Sequence, residues 1–142
     1  MAALERMEVF GIPYVAASLE DACAFWAETA ATTDRAQLTA HSDVHVLTRI
    51  LGDEEYGAGV RGFDFICPDG MPIVWLMRRK GADAHRLYGP DVMEMMWDKG
   101  RSAHLRHFRR HSGGVFRRGV CPQRPCIKTG GAPGQLRGRV RQ

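Results

Sequence analysis

Apolar and polar positions alternate with two different periods along the first hundred residues, and after that the pattern stops. Met7 to Tyr14 (MEVFGIPY) alternates and ends at Gly-Ile-Pro, which predicts a short first strand closed by a turn. Ser18 offers an N-cap, with Glu20 and Asp21 in the following turn. Leu19, Ala22, Cys23, Phe25 and Trp26 recur at helical spacing and predict an amphipathic helix over 19–31. Ala36 to Ala40 (AQLTA) reads as a buried strand. Asp43 to Leu51 reads as a second helix, with Val44, Leu47 and Leu51 on one face and a stop at Gly52. The acid-rich segment 53–62 suits a short helix and turn.

Phe63 to Cys67 (FDFIC) carries the clearest strand pattern. It runs into Pro68-Asp69-Gly70, and MPIVWLMRRK then begins a helix with Pro72 in its first turn, where proline is tolerated. Gly81 ends that helix after Arg78, Arg79 and Lys80, the cations favoured at a C-terminus. Arg86 to Tyr88 is a short extended piece, and Gly89-Pro90-Asp91 opens a last helix running from Val92 to about Arg101. Strands alternating with helices predict an α/β, Rossmann-like domain with a mainly parallel sheet and flanking helices. Met71, Trp75, Met93, Met95, Met96 and Trp97 read as core and packing residues at helical spacing.

Charge divides the chain at the point where the periodicity ends. The net +4 averages a half of −7 over residues 1–100 and a half of +11, without one acid, over residues 101–142. This places a boundary near residue 100: an α/β domain over 1–103 and a basic tail over 104–142. No stretch approaches the roughly 18 consecutive apolar residues of a membrane-spanning helix. The N-terminus lacks the basic and apolar regions of a secretory signal. Cys23, Cys67, Cys121 and Cys126 are scattered, which suits reduced thiols in the cytoplasm rather than a disulfide framework.

In an open parallel sheet the ligand crevice lies beyond the carboxyl ends of the strands. Three polar clusters fall at predicted strand ends: Thr39 to Ser42, Asp69-Gly70, and Arg86 to Asp91. Neither GxGxxG nor GxxxxGK[ST] occurs, so dinucleotide and P-loop chemistry have no support. Asp69 between Pro68 and Gly70 has two readings. It caps the helix that follows, or it is a general base that deprotonates an attacking hydroxyl. No D-x-D metal motif occurs, no cofactor is expected, and Asp53, Glu54 and Glu55 suit a solvated face.

Four blocks carry a resemblance: VFGIPYVAASLEDA, QLTAHSDVHVLTRI, FDFICPDGMPIVWLMRRKG and HRLYGPDVMEMM. In order, spacing and wording they are similar to the WecG/TagA/CpsF glycosyltransferase family, over roughly residues 7–100. The most specific part is PDGMP, two apolar residues and Trp75, then Arg86 seventeen residues after Asp69, then GPD. The resemblance implies an inverting transfer of an N-acetylmannosamine-like sugar from a UDP-amino-sugar donor. The implied acceptor is a polyprenyl-diphosphate-linked sugar at the cytoplasmic face of the membrane, in cell-surface polysaccharide synthesis. Peripheral membrane association and a homo-oligomer belong to the same expectation, and nucleic acid does not.

By position Asp69 matches the family's proposed catalytic base, Thr39 the threonine of its T-x-N motif, and Arg86 an arginine that meets anionic substrate groups. A guanidinium binds a diphosphate through two parallel hydrogen bonds. Gly70, Gly89 and Asp91, in the same segments, complete the expected substrate-binding set with His41. His41 stands where the family motif has Asn, and an imidazole cannot copy an amide that both donates and accepts at one end.

The tail has three readings. HLRHF (104–108) resembles the family's next strand and Gly113-Gly114 its glycine pair, after which neither periodicity nor acids remain. Arg, Gly, Pro and Ala are what G- and C-rich codons encode in any frame, so the first reading is a frame shift between about residues 100 and 115. The tail would then be disordered, the sheet incomplete at its C-terminus, and the chain inactive. The second reading is a non-catalytic protein that binds nucleic acid or anionic lipid through its positive charges. A zinc knuckle on Cys121, Cys126 and His111 is the weakest, because the ligand set is incomplete.

Overall fold

The computed structural model describes residues 3–102, 104–105, 107–110 and 116–119. The chain opens with a hairpin of β1 (Arg6–Val9) and β2 (Ile12–Val15). The reading of 7–14 as one strand is therefore corrected. Phe10 and Gly11 hold φ of 52° and 73°, the pair of positive values that a two-residue hairpin turn requires. Phe is a rare occupant of that position, so the sequence shows a turn near Gly11 but not the tight hairpin that makes Ile12–Val15 a second strand.

After β2 come α1 (Leu19–Thr32), β3 (Thr39–Ser42), α2 (Val44–Gly52), α3 (Glu54–Arg61), β4 (Phe65–Pro68), α4 (Met71–Arg79) and α5 (Gly89–Ser102). The main sheet has the order β1-β2-β4-β3, with β2, β4 and β3 parallel and β1 antiparallel at one edge. Mainly parallel strands with flanking helices make this an α/β fold. Ser18 caps α1 by accepting from the Asp21 amide at 3.1 Å, and Asp43 caps α2 by accepting from Val46 at 2.8 Å. Asp53 caps α3 through the Tyr56 amide at 2.9 Å.

Successive residues of the central strand β4 serve opposite cores. Ile66 packs with Tyr14, Leu47, Ile50, Ile73, Val74 and Met77 beneath α2, α3 and α4. Phe65 and Cys67 pack with Val15, Cys23, Trp26, Leu87 and Val92 beneath α1 and α5. A parallel strand covered on both faces is apolar throughout, and all of Phe65-Ile66-Cys67-Pro68 is buried. Full burial of one such aliphatic side chain contributes roughly 1.5–3 kcal/mol.

Two readings of helix faces are corrected. In α2 the buried residues are Leu47 and Ile50, while Val44 and Leu51 are 46% and 55% exposed. The apolar positions on this helix span more than one face, so spacing alone does not say which flank meets the sheet. In α4 the residues Ile73, Val74 and Met77 are buried, but Trp75 is 61% exposed and Met71 and Leu76 also face outward. Met93 is exposed as well, while Met95 and Met96 pack against the α1–α5 core.

Beyond α5, β5 (His107–Arg110) and β6 (Phe116–Gly119) pair antiparallel as a separate two-stranded sheet. The strand expected at 104–108 thus begins at His107 and does not extend the main sheet. Gly113-Gly114, His111, Cys121 and Cys126 lie outside the described residues, as does the tail expected to be disordered apart from 104–105, 107–110 and 116–119.

A candidate active-site crevice at the carboxyl ends of β3 and β4

The parallel strands deliver Ser42 and Pro68 side by side, in register, at their carboxyl ends. There the Asp69 amide donates to Ser42 O at 3.0 Å, and the Leu87 amide donates to Pro68 O at 2.8 Å. The Tyr14 and Ser42 hydroxyls share a buried hydrogen bond of 2.9 Å directly beneath. Burial of the Tyr14 ring pushes its pKa above the usual phenol value, against the Ser42 hydrogen bond that lowers it. The backbone under the crevice is therefore held from three elements: β2, β3 and the segment preceding α5.

Asp69 does not cap α4. Gly70 is the N-cap residue, and among the described residues no side-chain cap hydrogen bond is made to that helix. The Asp69 carboxylate is instead left at the rim, about one-fifth exposed, with Arg86 Nη2 at 3.6 Å. Arg86 is itself fixed: its Nε donates to Asp69 O at 2.6 Å and its guanidinium lies 4.4 Å from the centre of the Tyr88 ring. A carboxylate and a cation are thus held side by side, and a guanidinium presents N–H groups in a fork that suits an anion. Gly70 brings the loop close to α2: a Cβ there would sit 3.6 Å from the Asp43 Cα and Cβ.

His41 joins this crevice to a cleft beside it. Its Nδ1–H donates to Leu87 O at 2.9 Å, which in the neutral ring leaves Nε2 as an acceptor. Gly89 packs on the ring, with a Cβ position 3.7 Å from His41 Cγ and Cδ2. The cleft has a volume of about 520 Å³ and is walled by Trp26, Gln37, Thr39, His41, Val92 and Met96. A second open cleft, of about 690 Å³, lies on the other side of β3 and includes Arg49, Asp53 and Tyr56.

Thr39 is at the amino end of its strand, not the carboxyl end. The strand expected over 36–40 runs from Thr39 to Ser42, so Thr39 opens β3 opposite Phe65, roughly 10 Å along the strand from its carboxyl end. It shares the cleft with His41 rather than the crevice with Asp69. Asp91 is exposed in the first turn of α5, and among the described residues no hydrogen bond or ion pair joins it to the other candidates. The structure therefore brings together Asp69, Gly70, Arg86, His41 and Gly89, and sets Thr39 and Asp91 apart.

Sequence reading missed Tyr88, which supports Arg86, and Leu87, whose carbonyl orients His41. Their only signal was their place inside the Arg86 to Asp91 segment. Among the described residues no three His, Cys, Asp or Glu side chains are grouped to hold a metal ion.

The buried thiols behind the crevice give a stability prediction. Burial pushes the Cys67 thiol up to about 12 and the Cys23 thiol up to about 11, from an ordinary 9.0. A folded-state pKa above the unfolded value gives stability that is complete below pH 9 and lost as pH rises toward the folded pKa. For Cys67 the loss is about 1.4 kcal/mol per pH unit between those limits. Urea midpoints should fall steadily above pH 9, and Cys67→Ala should flatten that slope. Buried thiols of this kind should also resist modification by a disulfide reagent at pH 8 until the chain unfolds.

Comparison with curated proteins and with solved structures gives no match. Residues 7–110 match the glycosyl transferase WecG/TagA/CpsF family, and this span includes the crevice and every residue around it. The family implies a nucleotide-sugar donor and a lipid-linked acceptor. The chain belongs to the WecG/TagA/CpsF family of glycosyl transferases.

Proposed function

We propose that the chain transfers an N-acetylmannosamine-like sugar from a UDP donor to a polyprenyl-diphosphate-linked sugar, with inversion, at the cytoplasmic face of the membrane. Asp69 is the base. It takes the proton of the acceptor hydroxyl as that oxygen attacks the anomeric carbon, and the bond from that carbon to the UDP oxygen breaks. Arg86 meets the negative charge that grows on the departing diphosphate. His41 and Thr39 line the cleft into which the sugar or nucleotide extends, with His41 Nε2 accepting a hydroxyl hydrogen bond. Gly70 and Gly89 shape the site by letting the loop pack on Asp43 and the chain pack on the His41 ring, and Asp91 stands at the outer rim.

One observation carries this reading: the Asp69 carboxylate has no capping duty and lies beside an arginine where ligands bind in such sheets. A carboxylate whose task was structural would bond the open amides of α4. The domain over 1–103 is the catalytic part of the proposal, and residues 104–142 play no chemical role in it.

The role of Arg86 is tested by Arg86→Ala and Arg86→Lys. Losing a charge-assisted pair of hydrogen bonds to a diphosphate should weaken UDP binding by roughly tenfold or more. Lys should recover only part of this, because it lacks the planar fork. Isothermal titration with UDP reads the effect directly. Unchanged affinity in Arg86→Ala would remove Arg86 from the donor site.

A further inference from the structure

Helix α4 is apolar nearly all the way round, and only one side of it is used. Ile73, Val74 and Met77 are buried in the core beneath the sheet. At 100° per residue the opposite side carries Met71, Pro72, Trp75, Leu76 and Arg79. Trp75 is 61% exposed, Leu76 39% and Met71 36%. A helix that is apolar on every side is normally enclosed by protein or lipid. Beside its start stands Val44, 46% exposed and next to Asp43, which the Gly70 loop touches.

Charge says what covers this face. The half of the chain that contains it carries −7 over residues 1–100, yet residues 70–82 hold Arg78, Arg79 and Lys80 and no acid. The Arg78 guanidinium donates to Ala84 O and the Lys80 ammonium to Glu8 O, both backbone carbonyls, so neither charge is neutralised. Among the described residues no carboxylate forms an ion pair with any of the three. Exposed Trp, Leu and Met beside a cluster of uncompensated cations match the interface of an anionic bilayer. There the apolar face enters the headgroup boundary and the cations meet lipid phosphates.

We infer that the outer face of α4, centred on Trp75, docks the protein on an anionic membrane surface. The helix starts two residues after Asp69, so docking it on the bilayer sets the crevice beside the headgroups. A lipid-linked acceptor presents its diphosphate and sugar at that level. The inference thus names the face by which the chain meets the membrane of the proposed reaction, and rests on that reading for its purpose.

Trp75 is its own probe, because Trp26 is buried and Trp97 half-buried. The full chain is mixed with phosphatidylcholine–phosphatidylglycerol vesicles whose acyl chains carry bromine, a quencher of inserted tryptophan. The expected result is quenching that disappears in Trp75→Phe, and a roughly tenfold weaker partitioning of Trp75→Ser. The difference between wild type and Trp75→Ser should persist at salt that screens the cations of residues 101–142. Equal quenching in wild type and Trp75→Phe, or equal partitioning of wild type and Trp75→Ser, overturns the inference. So does a Trp75-dependent dimer in sedimentation without quenching, which would make the face a contact between copies. No sugar transfer is needed for the readout. An inactive chain that inserts Trp75 sinks only the proposed reaction, and an active chain that does not insert it sinks only the docking.

Discussion

Asp69→Asn should lower sugar transfer by roughly 10²–10⁴-fold, the usual contribution of a positioned general base. Folding stability should change by less than about 1 kcal/mol, because the exchange keeps the shape and disturbs a single partly exposed ion pair. Asn caps a helix about as well as Asp, so Asp69→Ala is the variant that separates the base from the cap: a capping Asp would lose about 0.5–2 kcal/mol on that change. Here Gly70 occupies the cap and α4 has no side-chain bond to lose. Donor binding measured with UDP should stay within about twofold, since proton removal belongs to the attack and not to the resting complex. A variant that transfers sugar as fast as wild type would take Asp69 out of the chemistry.

Ile66→Ala should destabilise the domain by about 2–5 kcal/mol. Ile66 is 2% exposed, sits on the central strand, and is paired with Tyr14 on one side and Ala40 on the other. Its side chain fills the core shared by α2, α3 and α4, so the cavity left by truncation is walled by three helices that cannot all collapse into it. Domain stabilities run to about 5–15 kcal/mol, so this one change removes a large share. A urea midpoint that moved by less than 1 kcal/mol equivalent would show that β4 is not the centre of the fold. The neighbouring Phe65 should be as sensitive, since it is the ring on which Phe25 and Trp26 stack edge-on at 5.7 and 5.8 Å.

The sequence made the segments with strong local signals legible. α1 announces itself through the Ser18 cap and its apolar spacing, and α4 through Pro72 at its start and Gly81, φ 93°, at its end. The turn near Gly11 was legible, but the second strand after it was not, because Phe10 occupies a hairpin-turn position that usually carries Asn, Asp or Gly. The reading of β3 slipped toward its N-terminus because Ala36 and Leu38 alternate with Gln37 and Thr39 as a strand would, without a turn residue, and only pairing with β4 fixes where the strand begins.

The site was partly legible for the same reason. Asp69, Gly70, Arg86 and Gly89 lie in loops marked by Pro, Gly and charge, and they do converge. That His41 is tied to Leu87 O, forty-six residues away in the chain, depends on the strand order, which no local pattern encodes. Trp75 misled the reading because spacing reports that a helix has an apolar side, not how many apolar sides have partners.

The most direct test is turnover by the wild-type chain. It is incubated with UDP-N-acetylmannosamine and a short-chain isoprenoid-diphosphate-linked sugar, and both products are followed by mass spectrometry and NMR. The proposed transfer predicts a lipid-linked disaccharide of inverted anomeric configuration, with one UDP released per product. Release of free sugar without a lipid-linked product, a retained configuration, or no turnover at any donor concentration would contradict it.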